Sequence, residues 1–246
     1  MSEESGVVEL SVAQAVPAHQ IGGLATELSD ACRRLAERPD PLTAVVLHGG
    51  GGGFFVRAPT GSADCDAAGT AWREATSLVA ALAPPVVMVI GGPAIGPAWE
   101  LALASDLRLA VDHATLGSPE IGWGRLPGAG GIQRLVRVAG RARAAEALLF
   151  GQLMSADEAR KRGFVHYCGS ESDVAQRLAE ILASFRASAP IALAYAKETS
   201  RAAADLSLEA GLRLEADLTA LLQTTADRAE GLAAFGARRT ASFTGT

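Results

Sequence analysis

Two short apolar runs separated by a helix-length stretch constrain the fold more than any other feature of the sequence. The runs are Thr43–His48 (TAVVLH) and Pro85–Gly91 (PVVMVIG), and a helix is predicted between them over residues 64–82. A further strand is predicted at Val7–Val12, and apolar residues on one helical face predict a helix over residues 21–35. Buried strands that alternate with helices are typical of parallel sheets, so we expect an α/β fold.

The middle of the chain repeats this alternation. A helix is predicted to begin at Pro97, and a glycine-rich turn at residues 127–131 leads into another helix. The spacing of Ser155 and Glu158 is that of a capping box, which predicts a short helix over residues 156–161. Three more strands are predicted, at Leu107–Val111, Ala114–Gly117 and Phe164–Cys168.

The last third of the sequence is almost entirely helical. From Glu171 onward the only strong breaks are at Pro190 and Asp205. A length of 246 residues is enough for one large domain with a substantial core, so this helical region is expected to be an appendage of that domain.

Composition excludes several classes of function. Hydrophobic residues make up 49% of the chain, but much of that is alanine, and no run of about 18 apolar residues predicts a membrane span. The net charge of -5 and the absence of a basic cluster argue against nucleic-acid binding. The acidic start MSEESGVVEL does not resemble a secretory signal. An odd number of cysteines, Cys32, Cys65 and Cys168, without a CxxC motif indicates a reducing cytoplasm and no metal site.

Glycine-rich segments and histidines do not form a recognisable site for a nucleotide or a nucleophile. Gly49–Gly53 follows a strand but does not open a helix, and Gly128–Gly131 lacks the GxGxxG spacing. No GxSxG motif occurs, and the four histidines have unrelated sequence contexts, so a hydrolase triad is not expected. His48 and His166 are predicted to be structural.

Two glutamates remain as candidates for chemistry. Glu100 lies in the first turn of a predicted helix, where an acid also interacts favourably with the helix dipole. Glu120 follows Ser118 and Pro119, which is an ordinary pattern for a helix start. Each is weak evidence alone. Together, beside sharp apolar turns, they can form a general acid and base whose pKa values are separated by burial.

The surroundings of these glutamates resemble the enoyl-CoA hydratase (crotonase) superfamily. The resemblance lies in GPAIGPAWELALASDLRLA from Gly92, in LGSPEIGWGRLPGAGGIQRL from Leu116, and in EGLAAFGARRTASFTG from Glu230. It is most specific between Glu120 and Gly163 and extends from about Thr43 to the C-terminus. The first forty residues match poorly, since the family's Asn-Arg-Pro and Asn-Ala-Leu patterns are absent.

The resemblance implies a fold and an assembly. The fold is a crotonase (ClpP-like) ββα superhelix over residues 1–187, followed by a helical C-terminal trimerisation region over residues 188–246. The implied assembly is a homotrimer, or a hexamer made of two trimers. A cytoplasmic enzyme of fatty acid metabolism is expected, with no membrane or nucleic-acid partner.

The resemblance also implies a reaction. Substrates would be acyl-CoA or related pantetheine thioesters, with coenzyme A as part of the substrate and no separate cofactor. Glu100 and Glu120 match the two glutamates that hold and activate a water for addition across a 2,3-double bond. Two backbone N–H groups would bind the thioester oxygen as it becomes an enolate. Isomerisation or other enolate chemistry is the alternative within the enzyme class.

The oxyanion hole departs from the family pattern at both donors. One donor position falls on Pro97, which has no N–H, so the N–H of Gly96 or of Ala98 would have to replace it. The other falls on Ala58, or on Pro59 if the register shifts by one residue. A catalytically impaired homologue that binds acyl-CoA is therefore a second hypothesis.

Other substrate contacts are also implied by the resemblance. Arg57 is a candidate to replace a missing family lysine at the CoA phosphates, although a solvent-facing loop position explains it equally well. Trp99 is either a core residue or a wall of the acyl pocket. The remaining candidate substrate-binding residues are Gly128, Arg238, Arg239 and Phe243.

Overall fold

The protein contains two sheets and a succession of helices, which a computed structural model describes for residues 2–4, 6–12, 21–49, 54–55 and 64–246. Ten strands lie in these ranges: β1 (Ser2–Glu4), β2 (Val7–Val12), β3 (Ala44–Gly49), β4 (Phe54–Phe55), β5 (Val86–Ile90), β6 (Ala94–Ile95), β7 (Leu107–Val111), β8 (Thr115–Gly117), β9 (Met154–Ser155) and β10 (Tyr167–Gly169).

The helices of the same ranges follow the predicted alternation. They are α1 (Ile21–Ala36), α2 (Asp64–Ala81), α3 (Pro97–Ala104), a 3₁₀ helix (Pro119–Trp123), α4 (Gly131–Phe150), α5 (Ala156–Lys161), α6 (Glu171–Arg186), α7 (Pro190–Ala202), α8 (Leu208–Leu222) and α9 (Ala226–Ala237). The predicted helix starts at Ile21, Pro97 and Ala156 are confirmed, and Ser155 caps α5 by accepting from the Glu158 N–H at 3.2 Å.

The larger sheet is almost entirely parallel. Its strand order is β1-β2-β3-β5-β7-β10, and only β1 runs antiparallel to its neighbour. Alternate side chains of β3 face opposite sides: Val45 and Leu47 join the main core with α1, α2 and α3, whereas Ala44 and Val46 pack with Leu182 of α6. The sheet is thus covered on both faces, which explains why its strands are apolar throughout.

The smaller sheet consists of very short strands that the sequence did not predict, apart from β8. Its order is β4-β6-β8-β9, with parallel pairing except between β8 and β9. Three times along the chain a strand of the larger sheet is followed by one of the smaller sheet and then by a helix, as in β3-β4-α2, in β5-β6-α3 and in β7-β8 with the 3₁₀ helix. This ββα succession places the starts of α3 and the 3₁₀ helix beside each other, because β6 and β8 are neighbours.

The predicted strand Phe164–Cys168 is misplaced, because the observed strand is Tyr167–Gly169. The N–H groups of Phe164 and Val165 both donate to the Ala159 carbonyl, at 2.8 and 3.3 Å, and so hold these residues against the end of α5. Phe164 and Val165 are buried, and their apolar character reflects packing rather than strand pairing.

The C-terminal helices bury little within one chain. α7 has no fully buried residue and α8 has only Leu218. Large apolar side chains are instead exposed, including Leu208 (80%) and Phe235 (87%). A break at Gln223–Thr225, which the sequence did not predict, separates α8 from α9.

Within the described ranges, no helix is both long enough and apolar enough to cross a membrane.

Candidate active site

Glu100 is positioned by the turn that opens α3. Gly96 is the N-cap, with φ 61° and ψ -122°, and its carbonyl accepts from the Glu100 N–H at 3.0 Å. Pro97 occupies the first helical position, where its fixed φ suits the helix and a missing N–H costs little. The Trp72 indole N–H donates to the Pro97 carbonyl at 2.9 Å and ties α2 to this turn. The first turn of α3 is therefore held by its own N-terminal hydrogen bond and by Trp72 of α2.

The Glu100 carboxylate is buried, with 2% of the residue exposed. Its Oε1 accepts hydrogen bonds from the backbone N–H groups of Ala129 (2.7 Å) and Gly131 (2.9 Å). Burial raises the pKa of Glu100, while these N–H groups and the nearby Arg134 guanidinium oppose that rise. One oxygen of this carboxylate is consequently fixed by the turn that precedes α4.

Glu120 lies at the second position of the 3₁₀ helix, with Ser118 as N-cap and Pro119 between them, as the sequence predicted. The residue is 7% exposed, and a Cβ atom added to Gly96 would lie 2.8 Å from its Oε1. Its Oε2 is buried and has no hydrogen-bond partner among the described residues. A buried carboxylate oxygen without a protein donor is available to a bound water or a reacting atom.

Burial raises the pKa of Glu120 to about 7. Hydrogen bonding from its own N–H opposes this, the negative charge of Glu100 adds to it, and Arg125 opposes it again. The two glutamates are therefore close enough to interact electrostatically. Because the pKa of Glu120 is close to neutral pH and one oxygen of Glu100 is fixed by backbone donors, the two carboxyl groups can act as a general acid and a general base.

The three candidate oxyanion donors at the start of α3 are not equivalent. The Gly96 N–H donates to the Gly117 carbonyl at 2.9 Å, as part of the β6–β8 pairing, so it is already engaged. Pro97 has no N–H. Ala98 is the second residue of the helix, where a backbone N–H has no intrahelical acceptor. Ala58 and Arg57 lie outside the described residues.

Trp99 belongs to the core. It is 1% exposed and meets Phe164 edge-on, with ring centroids 6.4 Å apart. With so little accessible surface, the Trp99 side chain packs in the interior, and its role as a wall of the acyl pocket stays a prediction.

Gly128 lies in the turn that contacts Glu100, but the C-terminal candidates make local contacts. The Gly128 carbonyl accepts from Arg73 Nε at 2.8 Å. Arg239 pairs with Glu230 (2.6 Å), Arg238 ends α9 in the left-handed conformation, and a Cβ added to Gly231 would lie 3.6 Å from the Phe243 ring.

His166 is structural, as the sequence predicted. Its Nδ1 accepts from the Arg108 backbone N–H at 3.1 Å, and burial, followed by the positive charge of Arg108, lowers its pKa to about 4. A neutral imidazole that serves as a hydrogen-bond acceptor fits this position.

Sequence reasoning missed the backbone donors that hold Glu100. Ala129 and Gly131 stand in the glycine-rich turn PGAGG, whose only local signal was a helix start. Packing against Glu100 requires a glycine at position 131, because an added Cβ would lie 2.8 Å from Glu100 Cγ. The backbone N–H groups of this turn thus bind a carboxylate of the same chain.

Comparison with known proteins supports this picture. The family model for enoyl-CoA hydratase/isomerase matches residues 21–246. The 2,3-dehydroadipyl-CoA hydratase of Escherichia coli (strain K12) is 40% identical over 162 residues, which are 65% of this chain and 63% of that protein. "Probable enoyl-CoA hydratase echA8" of Mycobacterium tuberculosis (strain CDC 1551 / Oshkosh) is 32% identical over 255 residues, covering 97% of this chain and 94% of its relative.

The match covers only part of several relatives but nearly all of a solved structure. In three of the curated relatives, including the E. coli hydratase, it spans 58 to 66% of the relative's length. The crystal structure of enoyl-CoA hydratase from Bacillus anthracis has a TM-score of 0.89 and 30% identity, and the match covers 98% of this chain and 96% of that one. The predicted ββα superhelix is confirmed by this likeness.

Proposed function

Because this chain belongs to the enoyl-CoA hydratase/isomerase family, we propose that it adds water to the double bond of a 2-enoyl thioester, or removes water in the reverse direction. The observation that carries the proposal is the buried, unpartnered Oε2 of Glu120 beside the backbone-held carboxylate of Glu100. Two carboxylates of unequal proton affinity in one apolar site suit a reaction that both removes and delivers a proton.

The environments of the glutamates support different roles. Glu100, with Oε1 held by two N–H groups, accepts a proton from the water as the water oxygen bonds to C3 of the substrate. Glu120, whose pKa is about 7, donates a proton to C2. Transfer of the proton from Glu100 back to Glu120 restores the starting state, so that one water is consumed for each product.

The thioester oxygen gains negative charge in the enolate formed on the way. We assign its binding to the Ala98 N–H at the start of α3, because the Gly96 N–H is engaged and Pro97 has none. Ala58, outside the described residues, is proposed as the second donor. Loss of one such donor typically slows turnover by about 10²–10³-fold without abolishing it.

The substrate class follows from the family and from names of relatives. The E. coli relative is named for an acyl-CoA substrate. We propose an acyl-CoA or related pantetheine thioester for this chain, with coenzyme A entering only as part of the substrate. Roles for Arg57, Gly128, Arg238, Arg239 and Phe243 in holding it remain predictions, as does a cytoplasmic location.

We further propose that the C-terminal region is completed by other copies of the chain in a trimer or hexamer. The exposed apolar residues of α8 and α9, among them Leu208 and Phe235, support this proposal. Light scattering of the purified chain tests it, and a monomer at micromolar concentration would contradict it.

The reaction is tested by mixing the protein with a short 2-enoyl-CoA and following the loss of the conjugated thioester absorbance. Glu100→Gln and Glu120→Gln should each lower turnover by about 10²–10⁴-fold, the contribution typical of a general acid or base. Glu180→Gln, on the exposed face of α6, is the matched control and should leave turnover unchanged. Wild-type rates in both site variants would rule out the proposed roles.

The Pro97 turn supports a second candidate, a homologue that binds acyl-CoA without hydrating it. This candidate predicts saturable binding of the enoyl-CoA with no change in its absorbance over all chain lengths tried. Isomerase chemistry is separated from both by supplying a 3-enoyl-CoA, which only an isomerase converts into the conjugated 2-enoyl form.

A further inference from the structure

A large groove lies beside the glycine-rich turn and is lined by Gly130 of that turn. The ends of α2 and α3, the first half of α4, and α7 enclose about 940 Å³, and neither Glu100 nor Glu120 lines this space. Sites for small molecules commonly enclose about 300–1,000 Å³. The groove is therefore large enough for a ligand of its own.

Two helices each present two cations to this groove. Arg134 and Arg137 are three residues apart on α4, and Lys197 and Arg201 are four residues apart on α7, so each pair shares one helical face. Among the residues that the structure describes, five cationic side chains and three carboxylates line the groove, which leaves an excess of two positive charges. The lining charged residues are Asp106, Arg108, Arg134, Arg137, Lys197, Glu198, Arg201 and Asp205.

Two of the cations are neutralised by direct ion pairs. Lys197 Nζ lies 2.7 Å from Asp106 Oδ2, and Arg137 Nη2 lies 2.8 Å from Asp205 Oδ1. Two of the three carboxylates of the groove are engaged in this way. The excess of positive charge therefore has to come from other arginines.

Arg134 and Arg201 have no carboxylate partner within ion-pair distance among the described residues. Arg134 donates to the carbonyls of Ala129 (2.6 Å) and Thr76 (3.3 Å), and Arg201 donates to the Ala80 carbonyl. Carbonyls satisfy N–H groups but do not cancel the charge. Burial lowers the pKa of Arg134, Glu100 opposes this, and the positive charge of Arg201 lowers it further, so the two guanidiniums lie within electrostatic reach.

We propose that the groove binds a phosphate group, free or as part of a phosphate ester, between the guanidiniums of Arg134 and Arg201. Each guanidinium has five N–H donors in a fixed planar fork that matches phosphate oxygens, and the carbonyl contacts use only some of them. The apolar walls formed by Leu103, Val138 and Tyr195 leave room for the organic part of an ester.

A phosphate bound in this groove would change the ionisation of Glu100. The Ala129 residue whose carbonyl accepts from Arg134 also donates its N–H to Glu100 Oε1. A phosphate bound to Arg134 offsets the positive charge that stabilises the Glu100 carboxylate, and so disfavours the ionised form of Glu100. This consequence rests on the proposed function, whereas the binding itself does not.

Binding is tested directly by titrating the full-length protein with inorganic phosphate at constant ionic strength, followed by calorimetry and ³¹P NMR. We expect saturable binding of one phosphate per chain. Arg201→Gln should weaken it by about tenfold, the cost of one charge-assisted contact, and Arg201→Lys should restore part of the loss. Arg177→Gln, which alters an exposed arginine that is paired with Glu180 on α6, is the matched control.

The source of the phosphate is separated by a parallel titration with ADP. Binding of inorganic phosphate that depends on Arg201 supports a free-phosphate site, and Arg201-dependent binding of ADP alone supports a site for a phosphate ester. Absence of saturable binding of either probe, or binding that is unchanged in a folded Arg201→Gln variant, overturns the proposal. Neither readout uses the enzymatic reaction, so a failure of the proposed hydratase activity would be seen separately.

Discussion

Gly96→Ala tests the placement of Glu120 more sharply than removal of the glutamate itself. The added Cβ would lie 2.8 Å from Glu120 Oε1, well inside an ordinary van der Waals contact. The carboxylate or the turn must then retreat by about half an ångström to relieve the contact. Because the site depends on alignment of Glu120 with Glu100, a displacement of this size should reduce turnover by about ten- to hundredfold.

The same substitution also strains the backbone, so a control for strain is needed. Gly96 has φ 61° and ψ -122°, a conformation that costs a residue with a side chain about 1–3 kcal/mol. Gly140, at a kink that divides α4 into two helical segments, also has a positive φ, of 80°, but a Cβ added there meets nothing within 4 Å. Gly140→Ala therefore imposes backbone strain without touching a carboxylate.

Both variants should lose stability by similar amounts, and only one should lose activity. A cost of 1–3 kcal/mol corresponds to a fall in Tm of about 2–12 °C for a domain of this size. Thermal unfolding measures that fall, and the enoyl-CoA absorbance assay measures turnover at a temperature where both variants are folded. If Gly96→Ala and Gly140→Ala keep the same turnover, contact between Gly96 and Glu120 has no bearing on the reaction.

Three further outcomes are expected at the same site. Turnover should fall as the pH rises through about 7, because Glu120 then loses the proton it is proposed to donate, and a rate that rises over that range would refute this role. Since folding raises its pKa from 4.5 to about 7, wild-type stability should fall by about 3 kcal/mol as the pH rises across this window, and urea unfolding of Glu120→Gln should lack this loss. Pro97→Gly should leave turnover unchanged or lower it, because the Ala98 N–H is proposed to bind the thioester oxygen already; steady-state kinetics that rise by about 10²-fold would show that the turn lacked a donor and would refute the assignment to Ala98.

The sequence predicted those parts of the fold that carry a strong local signal. Runs of β-branched and aliphatic residues predict the buried strands around Val45 and Val87. A proline at the first helical position predicts the helix that begins at Pro97. The strands β4, β6 and β9 have only two residues each, too few to show an alternating pattern, and exist because neighbouring turns of the superhelix align them. Phe164 was assigned to a strand for the opposite reason, since burial against the core gives a loop the apolar character of a strand.

In the candidate site, too, the sequence predicts the residues that have a local signal but not the backbone groups that the fold brings to them. Both glutamates could be chosen from their sequence context, but the donors to Glu100 come from Ala129 and Gly131, about thirty residues later, and no local pattern connects them. From the sequence alone, Gly96 and Ala98 were equal candidates to replace the donor lost at Pro97. The pairing of β6 with β8 separates them, because it commits the Gly96 N–H to Gly117 and leaves Ala98 as the candidate N–H at the start of α3. Whether a backbone N–H is free to bind a substrate thus depends on which strands pair. The residue type can exclude a donor, as at Pro97, but it does not show whether the N–H of another residue is already engaged.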